Sequence, residues 1–375
     1  MTDPRETKLA KLLIEHSVEL KKGEVVLIEA FDIPRSMVTA LIRTASDAGG
    51  IPIVHWKDNQ VQRDLYNIGS AEQIEERMKL IGKVERFQME QAQAYIGIRG
   101  SWNTTEFADI PSEKMQSYQK NVFANVHGKV RVPNTKWVVL RWPTPSMAQQ
   151  AGMSTDTFED FYFDVVLVDY ARMGKAVKPL VKLMDATDRV HIKGPGETNL
   201  QFSIKGIPTV PCSGLRNIPD GECFTAPVKD SIQGVIAFNS QTIYHGTKFE
   251  NIKLVYKDGR IVDFSSSNDE ALGKILDSDK GSRYVGEFSL GFNPKIKNPM
   301  CDILFDEKIG GSLHMAVGSA YDDADNTNRS TVHWDMVLIQ TPEYGGGEVY
   351  FDDRLIRKDG LFVLPELDGL NPGKL

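Results

Sequence analysis

Cysteine is scarce in this chain. Among 375 residues there are three, Cys212, Cys223 and Cys301, odd in number and far apart. They form neither a disulfide framework nor a CxxC metal or redox motif, and a reducing, cytoplasmic compartment is expected. Long apolar runs are missing as well: no stretch approaches the roughly 18 residues that a membrane span needs. The opening Met1-Thr2-Asp3-Pro4-Arg5-Glu6 has no basic patch leading into an apolar stretch, the mark of a secretory leader. Positive charge is in deficit, with 44 Lys and Arg against 51 Asp and Glu and a formal net charge of -7. That excludes nucleic-acid binding driven by general basicity.

Several catalytic signatures are absent. There is no GxxxxGK[ST] phosphate loop, no GxSxG elbow and no HExxH helix. Gly194-Pro195-Gly196-Glu197-Thr198-Asn199 lacks the third glycine of a dinucleotide loop and leads into strand-like sequence, so it reads as a turn. The turn after the first strand run, Phe31-Asp32-Ile33-Pro34, offers no glycine for a pyrophosphate to approach. Asn103-Thr104-Thr105 and Asn328-Arg329-Ser330 match the glycosylation triplet by chance in a chain with no secretory route.

What is present divides into two parts. Up to about residue 186, strand and helix patterns alternate. Leu9, Leu12, Leu13, Ile14 and Leu20 recur near helical spacing; Glu24–Ala30 is a strand run; Pro34 opens a helix that Gly49-Gly50 closes; Ile51–Trp56 is the next strand. A long helix follows Ser70, and Ala94–Ile98 and Trp137–Trp142 add strands. This alternation predicts an α/β domain over 1–186, an open parallel sheet with helices on both faces. From 187 to 375 short strands and turns dominate, with Asp258-Gly259 a hairpin signal and one helix near Glu270–Leu276. This half is predicted to be a β-rich metal-binding domain.

Oxygen and nitrogen donors gather in the second half. At a strand period of two, His333 and Asp335 share a face while Trp334 points away. Asp302-Ile303-Leu304-Phe305 reads as strand-like, ending at Asp306-Glu307, and Gly310-Gly311 allows a turn back toward His314. If Ser312–Tyr321 is helical, His314 and Tyr321 are close to two turns apart and share a face. Glu222 and Glu287 sit in apolar strand sequence, where a carboxylate is costly unless paired or coordinated. Each feature alone fits a bland reading, a solvent-facing edge or a satisfied pair. Together Glu222, Glu287, Glu307, His314, His333 and Asp335 offer O and N donors without a thiolate, a mixture suited to a pair of divalent ions such as Zn²⁺, Co²⁺ or Mn²⁺.

Asn217-Ile218-Pro219-Asp220-Gly221-Glu222-Cys223-Phe224-Thr225-Ala226-Pro227 resembles the N-P-x-x-E-x-F-T-A-P region of the aminopeptidase T / aminopeptidase S family of metallopeptidases. Gly286-Glu287, Leu304-Phe305-Asp306-Glu307, His314–Tyr321 and His333-Trp334-Asp335 follow in that family's order. The resemblance implies a two-metal exopeptidase acting on peptides with a free N-terminus, with broad specificity and a homodimeric assembly. Glu222 and His314 then match ligands of one ion, Glu287 a bridging carboxylate and Glu307 a ligand of the other ion, with His333 and Asp335 completing the shell. Tyr321 matches a tyrosine that serves as ligand or as hydroxyl donor to the tetrahedral intermediate. The segment between Glu307 and His314 is longer than in the family pattern, and Met336-Val337-Leu338-Ile339 departs from it too. Two alternatives stay open. One is a metal-dependent amidase or phosphoesterase on the same residues; the other is a silent homologue that binds peptides.

Overall fold

In a computed structural model, which describes residues 3–375, the chain divides into two compact units. One comprises the chain up to Leu167 with Gly214–Ile218, the other Val168–Ser213 with Pro219–Leu375. The expected division at residue 186 falls at the end of two helices, Tyr170–Ala176 and Lys178–Ala186, that group with the second unit.

The first unit is built on parallel strands β1 (Val25–Phe31), β2 (Ile51–Lys57), β3 (Ala94–Arg99) and β4 (Lys136–Arg141), in the order β2-β1-β3-β4, with Asn217–Ile218 added beside β4. Val26, Leu27 and Ile28 are all buried, because helices cover both faces and a parallel strand then has no wet side. Helix α1 (Pro4–Lys11) packs on α2 (Arg35–Asp47). Beyond α3 (Asn59–Asn67), helix α4 (Ala71–Gln91) begins at a capping box made by Ser70 and Gln73. Leu27 and Tyr95 from the sheet meet Ile74, Met78 and Met89 of α4 and Val122, Val126 and Val130 beyond it in one apolar core.

An ion pair is buried in this unit. Lys57 Nζ donates to Glu29 Oε1 at 2.6 Å and to Glu85 Oε1 at 2.7 Å, and the Tyr95 hydroxyl donates to Glu29 Oε2. Burial by itself raises the Glu29 carboxyl, but the charge of Lys57 overrides it and holds the group at about 2. A depressed acid stabilises the fold above its unfolded value and loses that contribution as pH falls through the folded value. The first unit is therefore expected to lose stability between pH ~4.5 and pH ~2, on the order of 3 kcal/mol from this residue. Urea unfolding followed at pH 5 and pH 3 checks it: Glu29→Gln should flatten the dependence, and an equally steep loss in that variant rejects the assignment.

The second unit holds an eight-stranded sheet and a five-stranded antiparallel one. The Asp258-Gly259 turn joins Lys253–Lys257 to Arg260–Ser265 as expected, with positive φ at both turn residues (49° and 75°), the requirement of a primed hairpin turn. The five-stranded sheet runs β9-β8-β7-β6-β5, where β5 is Val210–Cys212, β6 Glu222–Thr225, β7 Val285–Gly291, β8 Ser312–Gly318 and β9 His333–Ile339. Its apolar side meets the larger sheet, as in the edge-to-face contact of Phe288 with Phe202 at 5.0 Å.

Two local expectations are corrected here. Ser312–Gly318 is a strand, not a helix. Flanked by β7 and β9, all seven residues are buried on both faces, and sheet pairing prevails over the local helical alternative. Asp302–Phe305, read as strand-like, instead forms a short helix, Ile303–Asp306, capped by the Asp302 carboxylate accepting from Leu304 N.

Candidate metal centre

One face of the five-stranded sheet carries the polar residues singled out in the sequence. Register places Glu287 of β7 and Asp335 of β9 on either side of Ala316 of β8, and His314 opposite Ser289. Side chains two apart share a face, so His333 and Asp335 join His314, Glu287 and Glu222 there. Ala316 is the small residue between the two carboxylates and leaves room above itself. Gly286 sets the aim of Glu287: the ladder is irregular between Val285 and Glu287, and a Cβ at position 286 would lie 2.3 Å from the Ser319 carbonyl oxygen.

Glu287 is the hub. Its Oε1 lies 3.3 Å from His314 Nε2 and its Oε2 3.4 Å from His333 Nε2, so each oxygen faces a different imidazole. His314 Nε2 also stands 3.6 Å from Glu222 Oε2 and 3.9 Å from Asp335 Oδ1; His333 Nε2 is 3.6 Å from Asp335 Oδ1. Three donor groupings result, Glu222–Glu287–His314, Glu287–His333–Asp335 and Glu307–His314–Asp335, each with its ligand atoms within 4.8 Å of one another. The first two share Glu287.

Outer contacts aim these donors. His333 Nδ1 lies 2.8 Å from the Ser319 carbonyl oxygen, which can only accept, so Nδ1 carries a proton and Nε2 is turned inward toward Glu287 and Asp335. Ser289 Oγ lies 3.0 Å from Glu222 Oε2 and donates to it. His333 Nε2 and Asp335 Oδ1 are buried with no hydrogen-bond partner, the condition of groups shaped for something other than protein.

The charge balance points the same way. Burial raises Glu307 to about 8, reinforced by Glu222 and Asp335 and opposed by Lys308; burial likewise raises Asp335. Burial would raise Glu287, but its hydrogen bond with His314 and the charges of both imidazoles outweigh that and hold it at about 2. Both imidazoles are pushed up to about 10 by the facing carboxylates, against their burial. Such crowded carboxylates satisfy themselves by holding protons or by holding cations. The set of Glu222, Glu287, Glu307, His314, His333 and Asp335 fits divalent ions.

All six expected donors are thus brought together. Tyr321 stands at the rim, 50% exposed, its ring 4.6 Å from that of His333 and 5.8 Å from that of Phe224. Sequence reasoning missed Lys308. Its side chain is fully buried; Nζ donates to Glu222 Oε1 and, at 2.7 Å, to Glu307 Oε1, and lies 3.7 Å from Asp220 Oδ1. The available signal was a lysine directly after a candidate ligand, between Phe305 and Ile309. Cys212 lies beside Asp220 and Glu222, but burial and those two carboxylates raise its thiol well above the ordinary value, so it stays protonated and is a poor ligand.

The profile of the thermophilic metalloprotease (M29) family matches residues 2–346. Aminopeptidase AmpS of Bacillus subtilis (strain 168) is 25% identical over 345 residues, 83% of each chain. Wild-type AmpT from Thermus thermophilus superposes with a TM-score of 0.80 at 22% identity, over 96% of this chain and 99% of that one. A dioxygenase of 2,5-dihydroxypyridine from Pseudomonas putida KT2440 shares the fold more loosely, with a TM-score of 0.61 at 14% identity, over 97% of this chain and 98% of that one. At these identities the solved structures establish the fold alone, and an α/β unit followed by an antiparallel one is common to all three.

Proposed function

Given that this chain belongs to the thermophilic metalloprotease (M29) family and is a metalloaminopeptidase, we propose that it releases the N-terminal residue of peptides at a centre of two divalent ions. Glu222, Glu287, Glu307, His314, His333 and Asp335 are the proposed ligands, with Zn²⁺, Co²⁺ or Mn²⁺ as the ions. The observation that carries this reading is Glu287, whose two oxygens face two different histidines, the disposition of a bridging carboxylate. When bound, the ions would supply a Lewis acid for the scissile carbonyl and would lower the pKa of a bound water toward about 7.

The protein's own groups do the rest. The Tyr321 phenol, half exposed at the rim, is protonated at neutral pH and donates to the developing oxyanion, a contribution of about 3 kcal/mol. Glu307 gives one oxygen to Lys308 and would offer the other to an ion with His314 and Asp335. Phe224, packed beside Tyr321, offers an apolar wall to the substrate. The proposal includes a homodimer in the cytoplasm. No helix among the described residues is long and apolar enough to cross a membrane.

The test is release of amino acid from a tripeptide and from its N-acetylated twin, with Co²⁺, Mn²⁺ or Zn²⁺ and again after chelation. Cleavage of the free-amine peptide alone, lost on chelation and regained with metal, is expected. Cleavage of both peptides replaces this reading with an amidase or endopeptidase, and cleavage of neither with a silent homologue.

A further inference from the structure

The first unit has a cavity of about 350 Å³ whose lining includes none of the six candidate metal donors. Its walls come from the segments leaving all four long parallel strands: Asp32 after β1, Trp56 and Asp58 at the end of β2, Trp102 beyond β3 and Trp142 after β4. The crevice outside the carboxyl ends of parallel strands is where open α/β sheets bind ligands. Three of the chain's five tryptophans line it. Trp56 and Trp102 are 55% and 63% exposed, large indole faces left in water where packing alone would bury them.

The charge of the cavity is negative. Lys57 lines it, but its ammonium is taken by Glu29 and Glu85. Asp32 accepts only from the backbone and side-chain amides of Asn59, at 3.1 and 2.7 Å, and Asp58 accepts from Val61 N at 2.9 Å. All of these donors are neutral. Asp32 is held in a left-handed backbone conformation, φ 46°, a strain that tends to persist where a side chain must be aimed. Burial raises its carboxyl, and Asp58 and Glu106 add to that; a cation beside it would relieve the cost.

An aromatic wall next to an uncompensated carboxylate selects a flat, weakly hydrated cation. Guanidinium meets both demands, stacking on indole and pairing with carboxylate in a planar fork, which an ammonium cannot do. We propose that this cavity is a binding site for an arginine side chain of a peptide, with the guanidinium stacked on Trp102 and Trp56 and paired with Asp32. The site shares no residue with the metal centre.

The test titrates the full-length, metal-loaded protein with N-acetyl-arginine amide, whose amine is blocked, and follows tryptophan fluorescence. N-acetyl-citrulline amide, the neutral isostere, is the comparison. A saturable change with a low-millimolar midpoint is expected, at least about tenfold weaker for citrulline. Asp32→Asn should weaken arginine binding about tenfold, and Trp102→Ala should abolish it while Trp102→Phe retains most of it. Circular dichroism of each variant establishes that it is folded. No saturable change with the arginine amide, equal affinity for the two amides, or undiminished binding in a folded Asp32→Asn variant overturns the proposal.

Discussion

Glu287→Gln is expected to lower kcat/KM for a free-amine tripeptide by at least about a thousandfold, ~4 kcal/mol of transition-state stabilisation. Glutamine has the shape of glutamate but replaces one oxygen with an NH₂ group that repels a cation, so one of the two facing donor sets loses its shared ligand. Tightly bound metal should fall from the proposed two ions per chain to at most one, read by elemental analysis after dialysis. The fold should survive, because the hydrogen bond of Glu287 is to His314 and the amide can still meet it. Unfolding after chelation should therefore resemble that of the parent. Two retained ions, or turnover near that of the parent, sinks the bridging role of Glu287.

Lys308→Met is expected to act on stability first. The ammonium stands among Asp220, Glu222 and Glu307 and has no exposure to water. Removing one partner of a buried ionic cluster leaves the others uncompensated and costs about 3–5 kcal/mol. With chelator present the melting temperature should drop by about 10 °C, on the scale of a unit this size. One signature separates this from simple loss of packing: added divalent metal should recover part of the loss, since cations compensate the same carboxylates. A chelated variant melting within about 2 °C of the parent means the ammonium does not hold these carboxylates.

The legible part of the site was its local chemistry. His333-Trp334-Asp335 gives two donors on one face because a strand alternates, and that holds whatever the strand pairs with. The open parallel sheet was legible for the same kind of reason: apolar runs such as Val25–Ile28, each followed by an amphipathic helix, suit only a sheet covered on both sides. Where reading failed, the deciding interaction was distant. Ser312–Gly318 can be written on a helix or on a strand, and only β7 and β9 on either side make it a strand. Lys308 looks like any surface lysine until Glu222, far earlier in the chain, is brought against it.

The sequence by itself determined the two architectures, the donor chemistry of the site and the order of its six donors along the chain, because periodicity and residue type are properties of short segments. Only the tertiary structure decided that Glu287 stands between His314 and His333, that Ala316 opens space beside Asp335, that Lys308 neutralises the inner carboxylates and that indoles wall a cavity at the carboxyl edge of the first sheet. The physical reason is that the partners of a buried charge are set by non-local strand pairing, and no short stretch of this chain contains that information.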